Sequence, residues 1–113
     1  MLPKKYRLLA DYDFRRLRRL GQPYRSPFFT LVIASAKPGQ LRIGFVISNK
    51  VDKRATVRNR VKRLLREAVQ QKLPALKTGF DVAFYVRPLC LTKSYAEVCT
   101  EVNQVLSKTP LLQ

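Results

Sequence analysis

Apolar residues recur with a helical period first around 10–20: Ala10, Phe14 and Leu17 stand at i, i+4 and i+7, and Leu20 lies near the same stripe. Asp11 and Asp13 fall at the N-terminal end of this stretch and arginines at its C-terminal end, the arrangement a helix dipole favours. Gly21 follows as a stop. The pattern then turns to strand character in three segments, FFTLVIAS at 28–35, LRIGFVIS at 41–48 and FDVAFYVR at 80–87. Pro38 and Gly39 in the connection AKPGQ predict an antiparallel hairpin between the first two. A short extended piece around Gln22–Arg25 predicts an edge strand.

Strand alternation separates these residues into two faces. One carries Phe29, Leu31, Ile33, Leu41, Ile43, Phe45, Ile47, Phe80, Val82, Phe84 and Val86, all apolar, and is the core side. The other carries Phe28, Thr30, Val32, Ala34, Arg42, Gly44, Val46, Ser48, Asp81, Ala83, Tyr85 and Arg87. That set is too polar for a dry core and too apolar for a plain solvated face. It predicts a shallow cleft, half covered by the first helix.

Helical period returns twice. Stepping ~100° per residue from Val57, Val61, Leu64, Leu65 and Ala68 share one arc. Arg58, Lys62, Arg63 and Arg66 occupy the opposite arc, with Asn59 near its centre and Arg60 at one border. The last helix opens with the capping box Ser94-x-x-Glu97 and carries the stripe Tyr95, Val98, Val102, Val105 and Leu106. The order α-β-β-(β)-α-β-α predicts an α+β fold, a two-layer sandwich with a small central mixed sheet, in a single domain over 1–113.

Charge changes the picture most. The 113 residues hold 23 basic and 7 acidic side chains, a net charge of +16. Residues 1–21 carry seven of the cations and 50–72 carry nine, whereas the last 41 residues are nearly neutral. That asymmetry points to one face that binds a polyanion. There is no His, which removes the commonest general base and zinc ligand. Cys90 and Cys99 fit no metal spacing and read as reduced thiols. No apolar run is long enough for a membrane span, and the N-terminus MLPKKYRLLADYDF has no apolar signal core; a cytoplasmic location is expected.

The densest segment is Lys53–Arg66, with seven Lys or Arg. A solvated helix face mixes signs, and here only Glu67 opposes the seven. A membrane-surface helix would need interfacial aromatics that this one lacks. Nucleic acid remains, through phosphate contacts. A strand rather than a helix precedes the basic helix, which argues against helix-turn-helix reading of DNA, and no DNA partner is expected. The mixed cleft suits a single strand: Phe28 and Tyr85 can stack bases, Arg42 can hold phosphate, and Phe14 can line the same groove. Ordinary packing under the first helix is the alternative for each aromatic.

RNRVKRLLREA at 58–68 closely resembles the RNR signature of the protein subunit of bacterial ribonuclease P. RLLADYDFRRLRRLG, LRIGFVISNKV and GFDVAFYVRP resemble that family's first helix and the strands before and after its basic helix, so the likeness spans nearly the whole chain. It implies an α+β sandwich with a left-handed βαβ crossover, where general rules would favour a right-handed one. It implies an accessory role in endonucleolytic removal of the 5′ leader from precursor tRNA by a catalytic RNA. By resemblance, Arg58, Asn59, Arg60, Lys62, Arg63 and Arg66, with Lys50, Lys53 and Arg54 in the adjoining loop, contact the catalytic RNA. Phe14, Arg18, Phe28, Thr30, Val32, Arg42 and Tyr85 would line the leader cleft.

The chain departs from the family pattern in three places. Arg18 stands where a second helix aromatic is usual, Val32 where a strand aromatic is usual, and Asn49–Lys50 where two lysines are usual. Arg18 can hold the leader by charge or by stacking its guanidinium. The seven acids are scattered, so hydrolysis is expected to rest on Mg²⁺ bound mainly by the RNA, with no protein catalytic residue and no protein metal site. The rival readings are a structural, ribosomal-type RNA binder without turnover, a stand-alone nuclease and a DNA-binding module.

Overall fold

The computed structural model describes residues 2–112. Its elements are α1 (Asp11–Leu20), β1 (Gln22–Arg25), β2 (Phe29–Ser35), β3 (Leu41–Val46), α2 (Ala55–Gln70), β4 (Phe80–Val86) and α3 (Tyr95–Ser107), with short 3-10 turns over Lys4–Tyr6, Leu73–Ala75 and Pro88–Thr92. The strands form one mixed sheet in the order β1-β2-β4-β3. β1 and β2 are antiparallel, β2 and β4 are antiparallel, and β3 and β4 are parallel, joined through α2.

The predicted β2–β3 hairpin is corrected: β4 lies between the two strands. The turn itself forms, with Gln40 N–H donating to the Lys37 carbonyl at 3.0 Å and Gly39 in the left-handed region at φ 81°. It passes over the start of β4 instead of folding β3 back onto β2. Ala36 N–H donates to Gly79 O at 2.8 Å, and Phe80 N–H donates to Gln40 O at 3.1 Å. β4 takes the centre because both of its faces are covered: Asp81, Val82, Ala83, Phe84 and Val86 are all buried.

The expected core face is the core face. Phe29, Leu31, Ile33, Leu41, Ile43, Phe45, Ile47, Val82, Phe84 and Val86 are buried with Val61, Leu65, Ala68 and Val69 of α2 and Val98, Val102, Val105 and Leu106 of α3. Phe84 anchors this layer, 5.2 Å from the ring centroids of both Phe29 and Phe45. The capping box of α3 is closed both ways: Glu97 N–H donates to Ser94 Oγ at 3.2 Å and Ser94 N–H to Glu97 Oε1 at 3.1 Å.

α1 packs on the opposite face, where Leu8, Leu17, Ala34 and Ala83 are buried and Phe14, Val32 and Tyr85 pack beside them. Gly21 ends α1 as expected, but for a different reason. Its φ of −78° is open to any residue; a Cβ there would collide with Val32 Cγ1 and the Leu17 carbonyl. Among the described residues no helix is long and apolar enough to cross a membrane.

Candidate nucleic-acid interface

α2 turns Val61, Leu65, Ala68 and Val69 to the core, which forces its polar positions outward. Arg58, Lys62 and Arg66 then form an i, i+4 line along one border of the exposed face, and Asn59 and Arg63 form the next line. Arg60 is exposed. Among the described residues none of Arg58, Arg60, Lys62, Arg63 and Arg66 is ion-paired. Arg66 loses proton affinity through burial and through the nearby charges of Arg7 and Arg63. The helix thus presents uncompensated positive charge on its exposed face.

The loop before α2 is ordered by Asp52. Its Oδ1 accepts from Arg54 N–H at 2.8 Å, its Oδ2 from Arg54 Nη2 at 2.9 Å, and its carbonyl from Arg58 Nη1 at 2.9 Å. The Arg54 hydrogen bonds pull the Asp52 carboxyl down from 3.8 to about 2. Arg54 and Arg58 are therefore held at the entrance of the helix, and Lys50 and Lys53 stand exposed beside them.

Across the sheet edge, Asp11, Phe14, Arg15 and Arg18 of α1, Phe45 and Val46 of β3 with Ile47 just beyond it, and Lys62 of α2 enclose a groove of about 430 Å³. Phe14 packs against Gly44, where a Cβ would come within 2.5 Å of its ring. In register, Thr30, Tyr85 and Val46 form one row of the α1-side face, and Val32, Ala83 and Gly44 form the next. α1 covers the second row; Thr30, Tyr85 and Val46 stay half-exposed at the margin. Tyr85 Oη is buried and has no hydrogen-bond partner among the described residues.

The structure brings Phe14, Arg18, Val32 and Tyr85 together around α1, with Thr30 beside Tyr85. It does not bring Phe28 there, which corrects the face assignment. β2 begins at Phe29, so Phe28 lies in the preceding turn, where strand alternation no longer holds. Its N–H donates to Ser26 Oγ at 3.1 Å, its ring stands edge-on to Phe29 at 6.5 Å, and Lys93 Nζ lies 5.6 Å from its centroid. Phe28 belongs to the margin of the α3-side core.

Arg42 is on the expected face but is not a free cation. Its Nε and Nη2 donate to Asp81 Oδ1 and Oδ2 at 3.0 and 2.9 Å, and Nη2 also reaches Asp13 Oδ1 at 3.2 Å. Its pKa is raised, chiefly by the Asp81 hydrogen bonds. Sequence reasoning missed Arg15, which lines the groove, and Arg7, which the N-terminal segment brings against α2. Arg15 was visible, one position from Phe14; Arg7 was not, because no local pattern says that residues 4–8 run along β3.

The ribonuclease P family profile matches residues 2–110. The ribonuclease P protein component of Chloroflexus aurantiacus is 36% identical over 110 residues, covering 96% of this chain and 81% of that protein. That of a Cyanothece species is 35% identical, covering 99% and 98%. The structure of a Staphylococcus aureus RNase P protein mutant with defective mRNA degradation activity superposes with a TM-score of 0.88 at 22% identity, covering 96% of this chain and 92% of that one. The Thermotoga maritima RNase P protein gives 0.83 at 22% identity, covering 91% and 96%. The uncompensated RNR helix lies in the fold of those proteins, and the chain belongs to the ribonuclease P protein family.

Proposed function

We propose that this ribonuclease P protein component binds the ribonuclease P RNA through α2 and its entrance loop, and holds the 5′ leader of precursor tRNA along the α1 groove. Arg58, Asn59, Arg60, Lys62, Arg63 and Arg66, with Lys50, Lys53 and Arg54, face the catalytic RNA. Phe14, Arg18, Thr30, Val32 and Tyr85 face the leader. Arg18 supplies charge, Phe14 and Tyr85 supply ring surface, and Thr30 supplies the open margin, with Val32 packed beneath α1 behind it. Arg42 serves the leader site indirectly, through its bonds beneath α1. The reading places the assembly in the cytoplasm.

The observation that carries this reading is the unpaired cationic line on α2. Cations on one helix repel by a few tenths of a kcal/mol per i, i+4 pair, and a phosphate strand removes that repulsion. Mg²⁺ belongs to the RNA side of the site. Among the described residues no group of three or more His, Cys, Asp and Glu could hold a metal ion, and Asp13 and Asp81 are already held by arginines. Those residues do not fit a metal, so no step is assigned to a protein-bound ion. The chain neutralises phosphate and orients two strands.

The test is cleavage of a precursor tRNA at low Mg²⁺ with the protein alone, a bacterial ribonuclease P RNA alone, or both. Cleavage at the mature 5′ end only with both is expected. Cutting by the protein alone would move the chemistry to this chain. Tight RNA binding without any gain in cleavage would favour a structural RNA binder.

A further inference from the structure

α1 has a second flank. The groove lies against Phe14, Arg15 and Arg18, whereas Tyr12, Asp13 and Arg16 face the turn between β2 and β3. There Lys37, Gln40 and Arg42 complete the wall of a recess of about 370 Å³, a size that suits a small ligand. Among the described residues the groove and the recess share no lining side chain. Bonds to the sheet fix the wall. Arg16 Nη1 donates to the Ser35 carbonyl, Gln40 Nε2 to Asp81 Oδ1 and Arg42 Nη2 to Asp13 Oδ1, each at 3.2 Å.

Three groups of this wall have bonding capacity that the protein does not use. Asp13 is 4% exposed, yet its Oδ2 is buried with no hydrogen-bond partner among the described residues. Asp13 stands in the first turn of α1, where the helix dipole favours its charge. The dipole supplies no donor, and a buried acceptor without a donor is costly. Tyr12 is 66% exposed and packs into neither apolar cluster, so its ring is free. Lys37 is exposed and, among the described residues, not ion-paired. Arg16 and Arg42 differ from Lys37, because Asp81 holds both. One acceptor, one ring and one cation thus surround a single recess.

We propose that this recess binds one RNA nucleotide with an amino-bearing base, apart from the leader groove. The base stacks on Tyr12, its exocyclic amino group donates to Asp13 Oδ2, and the phosphate meets Lys37. Oδ2 is screened from water in the free protein, so a side chain of the wall moves as the base enters. The net charge of +16 repels a cationic ligand and draws in a phosphodiester. A bare anion would leave Oδ2 and the ring unused; a nucleotide engages all three groups. The proposal rests on the RNA-binding reading above, and the nucleotide can come from the precursor or from the catalytic RNA.

The test titrates the full chain with adenosine 5′-monophosphate, with purine riboside 5′-monophosphate, which lacks only the amino group, and with inorganic phosphate, while backbone amide resonances are followed. Adenosine monophosphate is expected to shift Tyr12, Asp13, Lys37 and Gln40 along one saturating curve. The purine analogue should bind about tenfold more weakly, the loss of one hydrogen bond to a charged group. Tyr12→Ala should weaken binding roughly 5–10-fold, the low end for a base stacked on an aromatic ring. Equal binding of the two nucleotides, a response at Phe45 and Val46 of the groove in place of the recess, or no response overturns the proposal. RNA binding is then measured against salt in two arms, the catalytic RNA alone and leader-bearing precursor on the assembled holoenzyme. Lys37→Gln is expected to lower the salt slope in one arm by about 0.7–0.9, one phosphate's worth, and Tyr12→Ala to weaken the same arm, which names the strand. Wild-type affinity and slope in both arms for both variants would overturn the proposal and leave the RNA-binding reading intact. A wild-type chain that binds neither RNA but shows the nucleotide response would refute the RNA-binding reading alone.

Discussion

Asp81 and Arg42 face each other across the β3–β4 pair and are bonded by two parallel contacts, at 3.0 and 2.9 Å. Asp81 has no exposed side-chain surface, and it also accepts from Arg16 of α1 at 2.5 Å and from Gln40 Nε2 at 3.2 Å. Asp13 of α1 meets Arg42 from the other side. One buried carboxylate thus ties α1 to the sheet that it half covers.

Asp81→Ala would take from Arg42, Arg16 and Gln40 their shared acceptor, leaving Arg42 only Asp13 and Arg16 only the Ser35 carbonyl. Removing one partner of a buried pair costs about 3–5 kcal/mol. The side chains of Arg16 and Arg42 keep 31% and 27% exposure, so water takes up part of the loss and about 3 kcal/mol is expected. Chemical denaturation measures this. The affinity of the holoenzyme for leader-bearing precursor should fall more than its affinity for mature tRNA, because α1 carries Phe14 and Arg18. Equal loss for both would show that Asp81 does not shape the groove.

The register of that pair also shows where sequence reading stopped. The core face, the helix caps and the polarity of α2 follow from periods of two and 3.6, which are local, and they were legible. The position of β4 was not, because the turn at Lys37–Gln40 fits a hairpin and fits an arch over a third strand equally well. With the wrong neighbour for β3, Arg42 read as a free phosphate ligand; beside Asp81 it is a structural cation. Phe28 was misplaced by extending alternation one residue past the start of a strand. Arg7 was missed because its importance comes from a non-local bridge to Ile43.

Gly44→Ala tests the seat of Phe14. The added methyl would lie 2.5 and 2.7 Å from two ring atoms and 3.1 Å from the Leu8 carbonyl. The ring can swing outward, so a modest loss of about 1–3 kcal/mol is expected, as for other overpacked sites. Leader affinity should change with it, since the displaced ring enters the groove. A variant with normal leader binding would mean that Phe14 packs the fold and does not touch the strand.

The two thiols should differ sharply. Cys90 is 2% exposed, and burial raises its pKa from 9.0 to about 11. Cys99 is only partly buried. A thiol reagent at pH 8 should label Cys99 and spare Cys90 until the protein unfolds. The linked effect has a fixed sign. The folded state holds the Cys90 proton more tightly than the unfolded chain, so its contribution is complete below pH 9.0 and is lost as the pH rises toward about 11. Cys90→Ala should lose some packing and flatten that decline. Rapid native labelling of both thiols would contradict the burial.

Arg58→Ala with Arg60→Ala addresses the cationic face itself. Arg60 is exposed, and Arg58 makes one tertiary hydrogen bond, to the Asp52 carbonyl. Unfolding should remain cooperative with a loss of no more than about 1.5 kcal/mol. Relief of repulsion along α2 works in the opposite direction. Binding to the ribonuclease P RNA should weaken most at low salt. Each lost phosphate contact lowers the magnitude of the log–log salt slope by about 0.7–0.9, so the double variant should lose about 1.5. A parallel loss of affinity at every salt concentration would mean that the two arginines act through shape or specific hydrogen bonds instead of charge. A slope and affinity like the wild type would remove the RNR helix from the interface.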